Sequence, residues 1–249
     1  MGQNLKIDEY NRLLAIMDDL CDLMPKVIFH EFFDSNKYLY SLYFEAFNSI
    51  KGFCVLLGNG CLIPQAAAIL RMAIEQIATI RVLEMHKDIQ NEYIEHKKIR
   101  FQLKDLDSKQ KQERIKEHFL NKMDNNDKKH AIDYLEYGWL KSISKKYGLY
   151  ELIELSKMQE DNAIQNWKKH LNSFVHGNIE FANINLDIDA PITYSHLLID
   201  VAAKLFDILM VEFHKENNFD FIFDGINFRE LFINAYKGTF EEDKSENVY

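Results

Sequence analysis

The segment from Ile63 to His86 constrains the fold of this chain more than any other part of it. Its apolar and small residues recur at helical spacing and occupy more than one side of the helix that they predict. A helix with this pattern is buried by neighbours on several faces. Pro64 suits the first turn, because a proline there loses no hydrogen bond. The residues that carry the pattern are Ala66, Ala67, Ile69, Leu70, Ala73, Ile74, Ile77, Ala78 and Ile80.

The rest of the chain also predicts helices. Only 3 prolines and 9 glycines occur among 249 residues, beside 18 phenylalanines and 12 tyrosines, and few helix breakers favour helices over a sandwich or a barrel. A second long helix is expected from Lys37 to Leu57, followed by a tight connection at Gly58-Asn59-Gly60. We therefore predict an all-α fold, a helical bundle around a central antiparallel αα-hairpin.

The remaining helices are predicted from periodicity and from turn residues. We expect a single helical domain over residues 1–236, a charged and more exposed helical subregion over residues 87–135, and an acidic, disordered tail over residues 237–249. Further helices are expected at Ile7–Met24, on both sides of Asp107-Ser108, at Ile132–Trp139, on either side of Gly148 and at Thr193–His214, with a break at Asn125-Asn126-Asp127.

The formal charge of −9 argues against non-specific binding of nucleic acid through bulk charge, although a small basic cleft on an acidic protein still permits RNA as a partner. Charged residues interrupt every long apolar segment, so no membrane span is predicted. The polar N-terminus has no apolar signal core. The cysteines, Cys21, Cys54 and Cys61, lie in or beside apolar runs and read as reduced core residues. Together these features predict a cytoplasmic protein.

No cofactor or metal site is predicted. The chain has no glycine-rich phosphate loop, no zinc-type Cys/His spacing and no His-Glu-x-x-His motif. Glu92 and His96 form the best helical pair of potential ligands, but they fall in a segment expected to be solvated. The basic cluster of Lys97, Lys98, Arg100 and Lys104 is diluted by acids and reads as a solvated helix face.

A histidine closes one predicted helix. The helix of residues 161–175 is followed by His176 and then by Gly177, which suits the left-handed residue beyond a helix end, with Asn178 able to support the turn. The negative end of a helix favours a charged imidazole. His176 either caps its own helix or forms a polar site with Asn172, Ser173 and a partner from elsewhere.

Arg71 and Glu75 are candidates for that partner. They lie four residues apart on the most apolar helix, where an arginine is costly to bury without a counter-charge. Either they form a buried ion pair that fixes the helix register, or they face a polar cleft into which His176 also points.

Gly60–Glu84 has Arg-Met-Ala-Ile-Glu at its centre, and Trp167–Asn178 ends in Phe-Val-His-Gly-Asn. These two stretches resemble an uncharacterised bacterial family of helical proteins, which pairs an R-x-x-x-E helix with a later S-x-x-H-G helix end. That family is similar to the HEPN superfamily of helical bundles, found in toxin–antitoxin and abortive-infection systems. In HEPN ribonucleases an arginine precedes the histidine, with four to six residues between the two. Here those positions hold Leu171, His170 and Lys169, so the resemblance implies Arg71 or Lys169 as the cation that holds the phosphate.

The resemblance implies a metal-independent ribonuclease or RNA-binding effector of a bacterial defence system. His176 would be its acid and base, with Asn172 and Ser173 orienting the substrate and Glu75 and Asn178 in support. It also implies an antitoxin or defence component as partner, and a homodimer. The alternative is a non-catalytic interaction module in which Arg71, Glu75 and His176 form a structural polar network.

Overall fold

The computed structural model describes residues 11–12, 14–22, 24, 37–60, 62–158, 190–217, 222–223 and 226–227. These residues are almost entirely helical. Besides the helices and the turns between them, they include an antiparallel pair of two-residue strands, β1 (Ile222–Phe223) and β2 (Ile226–Asn227), in which Phe223 stands opposite Ile226. The predicted all-α class is confirmed. The predicted acidic tail, residues 237–249, lies outside the described residues.

The described residues form eight α-helices after a helical N-terminal segment that comprises residues 11–12, 14–22 and 24. Short 3₁₀ helices occupy Lys87–Ile89 and Gly138–Ser142. The α-helices are α1 (Lys37–Gly60), α2 (Ile63–Met85), α3 (Gln90–Gln102), α4 (Ser108–His118), α5 (Asn125–Lys129), α6 (Ala131–Tyr137), α7 (Leu149–Leu155) and α8 (Ala190–Asn217).

The contacts divide the chain into two compact units. The first consists of Met1–Ile77 and Asn162–Tyr249, and the second of Ala78–Asp161. Such a unit is a cluster of contacts and need not fold by itself. The single domain predicted over residues 1–236 therefore stays a prediction.

Aromatic rings join α1 to α8 in the first unit. Tyr43 and Phe213 meet edge to face with their ring centroids 5.4 Å apart, and Phe47 meets Phe213 at 6.1 Å and Phe206 at 6.2 Å. Each such pair contributes about 0.5–1.5 kcal/mol beyond the area that it buries. On α1, Gly52 faces the side chain of Ile69 on α2. The αα-hairpin as the centre of the bundle stays a prediction.

Helix α1 is longer than predicted. The expected tight connection at Gly58-Asn59-Gly60 is wrong, because these residues form the last turn of α1. The amide of Leu62 donates to the carbonyl of Leu56 over 3.2 Å, which satisfies one of the carbonyls left open near the helix end. Glycine costs less there than in a helix interior, where the loss is about 1 kcal/mol.

The second unit has an apolar core of its own, formed by α3, α4, α6 and the segment that follows α4. Predicted helix boundaries near Asp107-Ser108 and at Gly148 are confirmed: Asp107 caps α4 through the amide of Gln110, and Gly148 precedes α7 with φ +129°. The core residues are Ile99, Leu103, Ile115, Phe119, Met123, Ala131, Tyr134 and Leu135.

The break predicted at Asn125-Asn126-Asp127 is wrong, since α5 begins there. The carboxylate of Asp124 accepts hydrogen bonds from the amides of Asn126 (2.8 Å) and Asp127 (2.9 Å), while the Asp127 side chain accepts from the amide of Asp124. This reciprocal capping satisfies the open amides of the first turn. Residues that read as turn formers thus act here as helix caps.

Candidate functional site

Arg71 and Glu75 lie on one face of α2, as their spacing predicts. Nη1 of Arg71 is 3.8 Å from Oε2 of Glu75. The two side chains keep 28% and 30% of their surface exposed, so the pair is not sealed in the core. Because both charges keep contact with water, they avoid much of the desolvation penalty of a buried ion pair. This open position differs from the buried pair that was one of the two expectations.

The buried stripe of α2 runs beside this pair. Ala67, Leu70, Ala73, Ile74 and Ile77 are at most 3% exposed. Met72, which follows Arg71, is 52% exposed. Arg71 and Glu75 therefore stand at the edge of the core, where the polar groups reach solvent and the stems lie along apolar neighbours.

A groove of about 360 Å³ lies between α1 and α2 in the first unit. Its lining on α2 is Ile69, Met72 and Gln76, and on α1 it is Phe44, Glu45, Asn48 and Ser49. Oε1 of Gln76 is buried and accepts no hydrogen bond from the part of the chain that the structure describes. Arg71 is one residue from Met72 but does not line the groove.

The other predicted site residues lie outside the described residues. These are His176 together with Asn172, Ser173, Lys169 and Asn178. Their proximity to Arg71 and Glu75 stays a prediction.

His96 corrects the expectation of a solvated charged segment. It is 1% exposed, and its ring lies beside Phe119 and Tyr134 with centroid separations of 4.5 and 5.4 Å. Burial lowers the pKa of His96, against the opposing hydrogen bond to Leu135, so the ring is held neutral. Nδ1 lies 3.0 Å from the Leu135 carbonyl oxygen and donates to it. Nε2 is then a buried acceptor that receives no hydrogen bond from the described residues.

An exposed ion-pair cluster involves the neighbour of His96. Glu95 accepts from Nζ of Lys122 at 2.7 Å and from Nε2 of His118 at 3.0 Å. The hydrogen bond from Lys122 is the main reason that the pKa of Glu95 is lowered, and burial opposes it. Nζ of Lys122 also lies 3.6 Å from Glu92. The cluster links α3 to the segment after α4.

A second polar cluster holds one lysine between two carboxylates. Nζ of Lys141 is 2.7 Å from Asp127 and 3.0 Å from Asp124. Burial disfavours the charged lysine, but the bonds to Asp127 and Asp124 outweigh it and raise the pKa of Lys141. The amide of Asp127 and then Lys141 lower the pKa of Asp124. Asp127 is 1% exposed, so a buried carboxylate is fully paired here.

Sequence reasoning missed the burial of His96 and both polar clusters in the second unit. A signal for His96 exists, because Tyr93, His96, Ile99 and Leu103 recur at the spacing of one helix face. The lysines and acids between them hide this stripe. No comparable local pattern marks Lys141, whose two partners come from an earlier helix start.

The described residues offer no group of three or more histidine, cysteine, aspartate or glutamate side chains that could hold a metal ion. In the same part of the chain no helix is long and apolar enough to cross a membrane. Cys21 and Cys54 are buried free thiols, and burial is the main reason that the pKa of each is raised. They are therefore poor nucleophiles. Cys61 lies outside the described residues.

Comparison with known proteins identifies a family for this chain. A family model described as a family of unknown function (DUF5677) matches residues 36–190, which is more than half of the chain. The chain belongs to this family. The matched segment contains both stretches that resemble HEPN proteins. No curated protein and no solved structure matches the chain.

Proposed function

We propose that this DUF5677 protein is an RNA-directed effector of a bacterial defence or toxin–antitoxin system, which binds RNA and cleaves it without a metal ion. Arg71 holds the scissile phosphate and His176 moves the proton. Asn172 and Ser173 orient the substrate, with Glu75, Lys169 and Asn178 in support. An antitoxin or another defence component is the proposed protein partner, and two copies of the chain form the active dimer.

The observation that supports this proposal is the position of Arg71. Its guanidinium belongs to α2, a helix with a buried apolar stripe, yet 28% of the side chain remains open to solvent. A guanidinium is always charged and carries planar donors that match phosphate oxygens. Glu75 keeps the group oriented on the helix face and competes with an incoming phosphate. The side chain is thus both held and reachable.

The chemistry needs one proton carrier and one cation. The imidazole of His176 removes the proton of a ribose 2′-hydroxyl, whose oxygen then bonds to the adjacent phosphorus. The bond from phosphorus to the 5′ oxygen breaks, and the imidazolium returns the proton to that oxygen. Arg71 stabilises the charge that builds on the phosphate oxygens during this exchange.

A second candidate function is a non-catalytic interaction module. It is favoured by the ion pair itself, because Glu75 already compensates part of the charge of Arg71 at 3.8 Å. Leu171, His170 and Lys169 also stand at the positions where HEPN ribonucleases have their arginine. In this alternative the Arg71, Glu75 and His176 side chains stabilise the bundle, and a partner binds elsewhere.

Cleavage of a labelled single-stranded RNA in the presence of EDTA tests the proposal. The proteins to compare are wild type, Arg71→Ala, His176→Ala and the matched control Arg114→Ala. Arg114 also pairs with a glutamate on its own helix, Nη1 lying 3.0 Å from Glu117. Thermal unfolding of each variant reports whether it folds.

We expect cleavage by the wild type and by Arg114→Ala, and losses of about a hundredfold or more in His176→Ala and Arg71→Ala. RNA affinity should fall in Arg71→Ala but not in Arg114→Ala. Folded wild-type protein that neither binds nor cleaves RNA would overturn the proposal. If His176→Ala and Arg71→Ala also unfold at markedly lower temperature, the interaction module becomes the better account.

A further inference from the structure

A polar cavity of about 540 Å³ lies in the second unit, beside Lys141 and its two carboxylate partners. This volume falls in the range of about 300–1,000 Å³ that is usual for small-molecule sites. One wall contains the paired Asp124–Lys141–Asp127 cluster. Because Asp127 is buried and bound to Lys141 at 2.7 Å, this wall is held in a fixed arrangement.

Two adjacent lysines supply positive charge at the rim. Lys145 and Lys146 both line the cavity and are both exposed. Neither makes a salt bridge with any described residue. Lys141 differs, since its charge is taken up by Asp124 and Asp127. The rim therefore has two ammonium groups available to an anion, and phosphate is a common ligand of such groups.

Acceptors face the same space. Asp133 lines the cavity, keeps 69% of its side chain exposed and lies 3.8 Å from His130. Asp124 lines it as well, with 60% of its side chain exposed. The three lysines and three aspartates of the lining balance in formal charge. A bare anion matches only the lysines, whereas a ligand with an anionic end and hydroxyl donors matches both groups.

The backbone at the edge of the cavity is set by a glycine. Gly148 has φ +129°, a region that side chains with a Cβ rarely adopt, although a Cβ there would meet no atom within 4 Å. Conformation and not space therefore demands glycine at this position. Glycine adopts this conformation without strain. It fixes the turn that follows Lys145, Lys146 and Tyr147 and leads into α7.

We propose that this cavity binds a small phosphorylated sugar, free or as part of a nucleotide. Lys145 and Lys146 hold the phosphate, and the carboxylates of Asp133 and Asp124 accept hydrogen bonds from the sugar hydroxyls. The site uses none of the residues of the proposed ribonuclease and stands independently of that function.

Titration calorimetry on the full chain tests the site with three probes: inorganic phosphate, ribose 5-phosphate and adenosine 5′-monophosphate. The variants are Lys145→Ala/Lys146→Ala, Lys146→Glu and Asp133→Asn. Lys109→Ala serves as control, since Lys109 is an exposed lysine of α4 that does not line the cavity. All substituted side chains are exposed, and thermal unfolding confirms that each variant folds.

We expect saturable binding of ribose 5-phosphate that is tighter than that of phosphate. The double lysine variant and Lys146→Glu should weaken it by about tenfold or more, and Asp133→Asn should weaken ribose 5-phosphate but not phosphate. Tighter binding of the nucleotide than of ribose 5-phosphate would identify a nucleotide as the source of the sugar phosphate, and weaker binding a free sugar phosphate. No saturable binding of any probe, equal affinity for phosphate and ribose 5-phosphate, or full affinity in the double lysine variant would overturn the proposal.

Discussion

Nδ1 of His96 lies 3.0 Å from the carbonyl oxygen of Leu135, so a fully buried histidine joins α3 to α6. The ring also lies beside Phe119 and Tyr134, which belong to the same apolar core. A neutral imidazole suits this place, since one nitrogen donates to the carbonyl and the ring packs like an aromatic side chain. A charged imidazole would have to lose its hydration.

The stability of the protein should fall as the pH drops below about 6.5, the ordinary pKa of histidine. Burial lowers the pKa of His96 in the folded state, while Glu92 and Glu95 favour the charged ring and Lys122 disfavours it. As the pH falls below about 6.5, His96 therefore becomes protonated in the unfolded chain but stays neutral in the folded chain. This difference persists until the pH falls below the pKa of His96 in the folded state. Each unit of lowering corresponds to about 1.4 kcal/mol.

Urea unfolding at a series of pH values measures this effect. The variant His96→Gln keeps a donor for the Leu135 carbonyl but does not titrate, so it should lose stability at neutral pH and show a flatter profile below about pH 6.5. His130→Gln is the control, because the His130 side chain is 57% exposed and belongs to the same unit. An unchanged slope in His96→Gln would contradict the assignment of the slope to His96.

Lys122 should control the ionisation of Glu95. The hydrogen bond from Lys122 is the largest cause of the lowered pKa of Glu95, so Lys122→Met should raise that pKa towards its ordinary value of about 4.3. Part of the lowering should remain, since His118 also bonds to Glu95. Carbon NMR of the carboxyl group against pH reports the change. In Lys116→Met the Glu95 pKa should stay as in the wild type; an equal rise there would point to overall charge instead.

Asp127→Asn should destabilise the fold, because it removes the negative charge of a buried carboxylate that pairs with Lys141. The side chain is 1% exposed and lies 2.7 Å from Nζ of Lys141. We expect a loss of about 1–3 kcal/mol in the free energy of unfolding. Asp133→Asn should change it by less than about 0.5 kcal/mol, since that side chain is largely exposed. Equal effects of the two changes in urea unfolding would show that Asp127 is not specially placed.

Gly138→Ala should destabilise the fold through crowding against Tyr134. A Cβ at Gly138 would lie 2.8 Å from Cδ2 of that ring, which is flanked by Phe119 and Tyr147. Overpacking of this kind costs about 1–3 kcal/mol.

Gly52→Ala is the matched change at a glycine where an added Cβ fits without a clash. Its Cβ would meet Ile69 at 3.5 Å, an ordinary contact, and the substitution inside α1 should gain about 0.5–1 kcal/mol. Thermal unfolding should thus move in opposite directions for the two variants. A lower unfolding temperature in both would mean that α1 and α2 tolerate no added methyl group.

Most helix positions could be predicted from the sequence because their signals are local. Pro64 near the start of α2, Asp107 before α4 and Gly148 before α7 each act through their own backbone and its next few amides. The same local logic failed at Gly58-Asn59-Gly60. There the closing hydrogen bond from Leu62 lets the helix continue through residues that elsewhere begin a turn.

The candidate site could be predicted only as residue types. The spacing of Arg71 and Glu75 predicts their ion pair, but their exposure depends on which neighbours cover α2. For Lys141 even the partners are hidden in the sequence, since Asp127 and Asp124 precede it by 14 and 17 residues. Such pairings arise when separate helices pack.

The amino-acid sequence by itself determined that this chain is helical, where most of its helices begin and end, and that α2 is buried along much of its surface. Those properties follow from periodicity and from backbone chemistry within a few residues. Only the tertiary structure decided that His96 is buried and neutral, that Lys141 joins two carboxylates, and that a polar cavity opens beside them. Burial and electrostatic environment depend on groups brought together from distant positions in the sequence. Those neighbouring groups set the free energy of ionising each side chain.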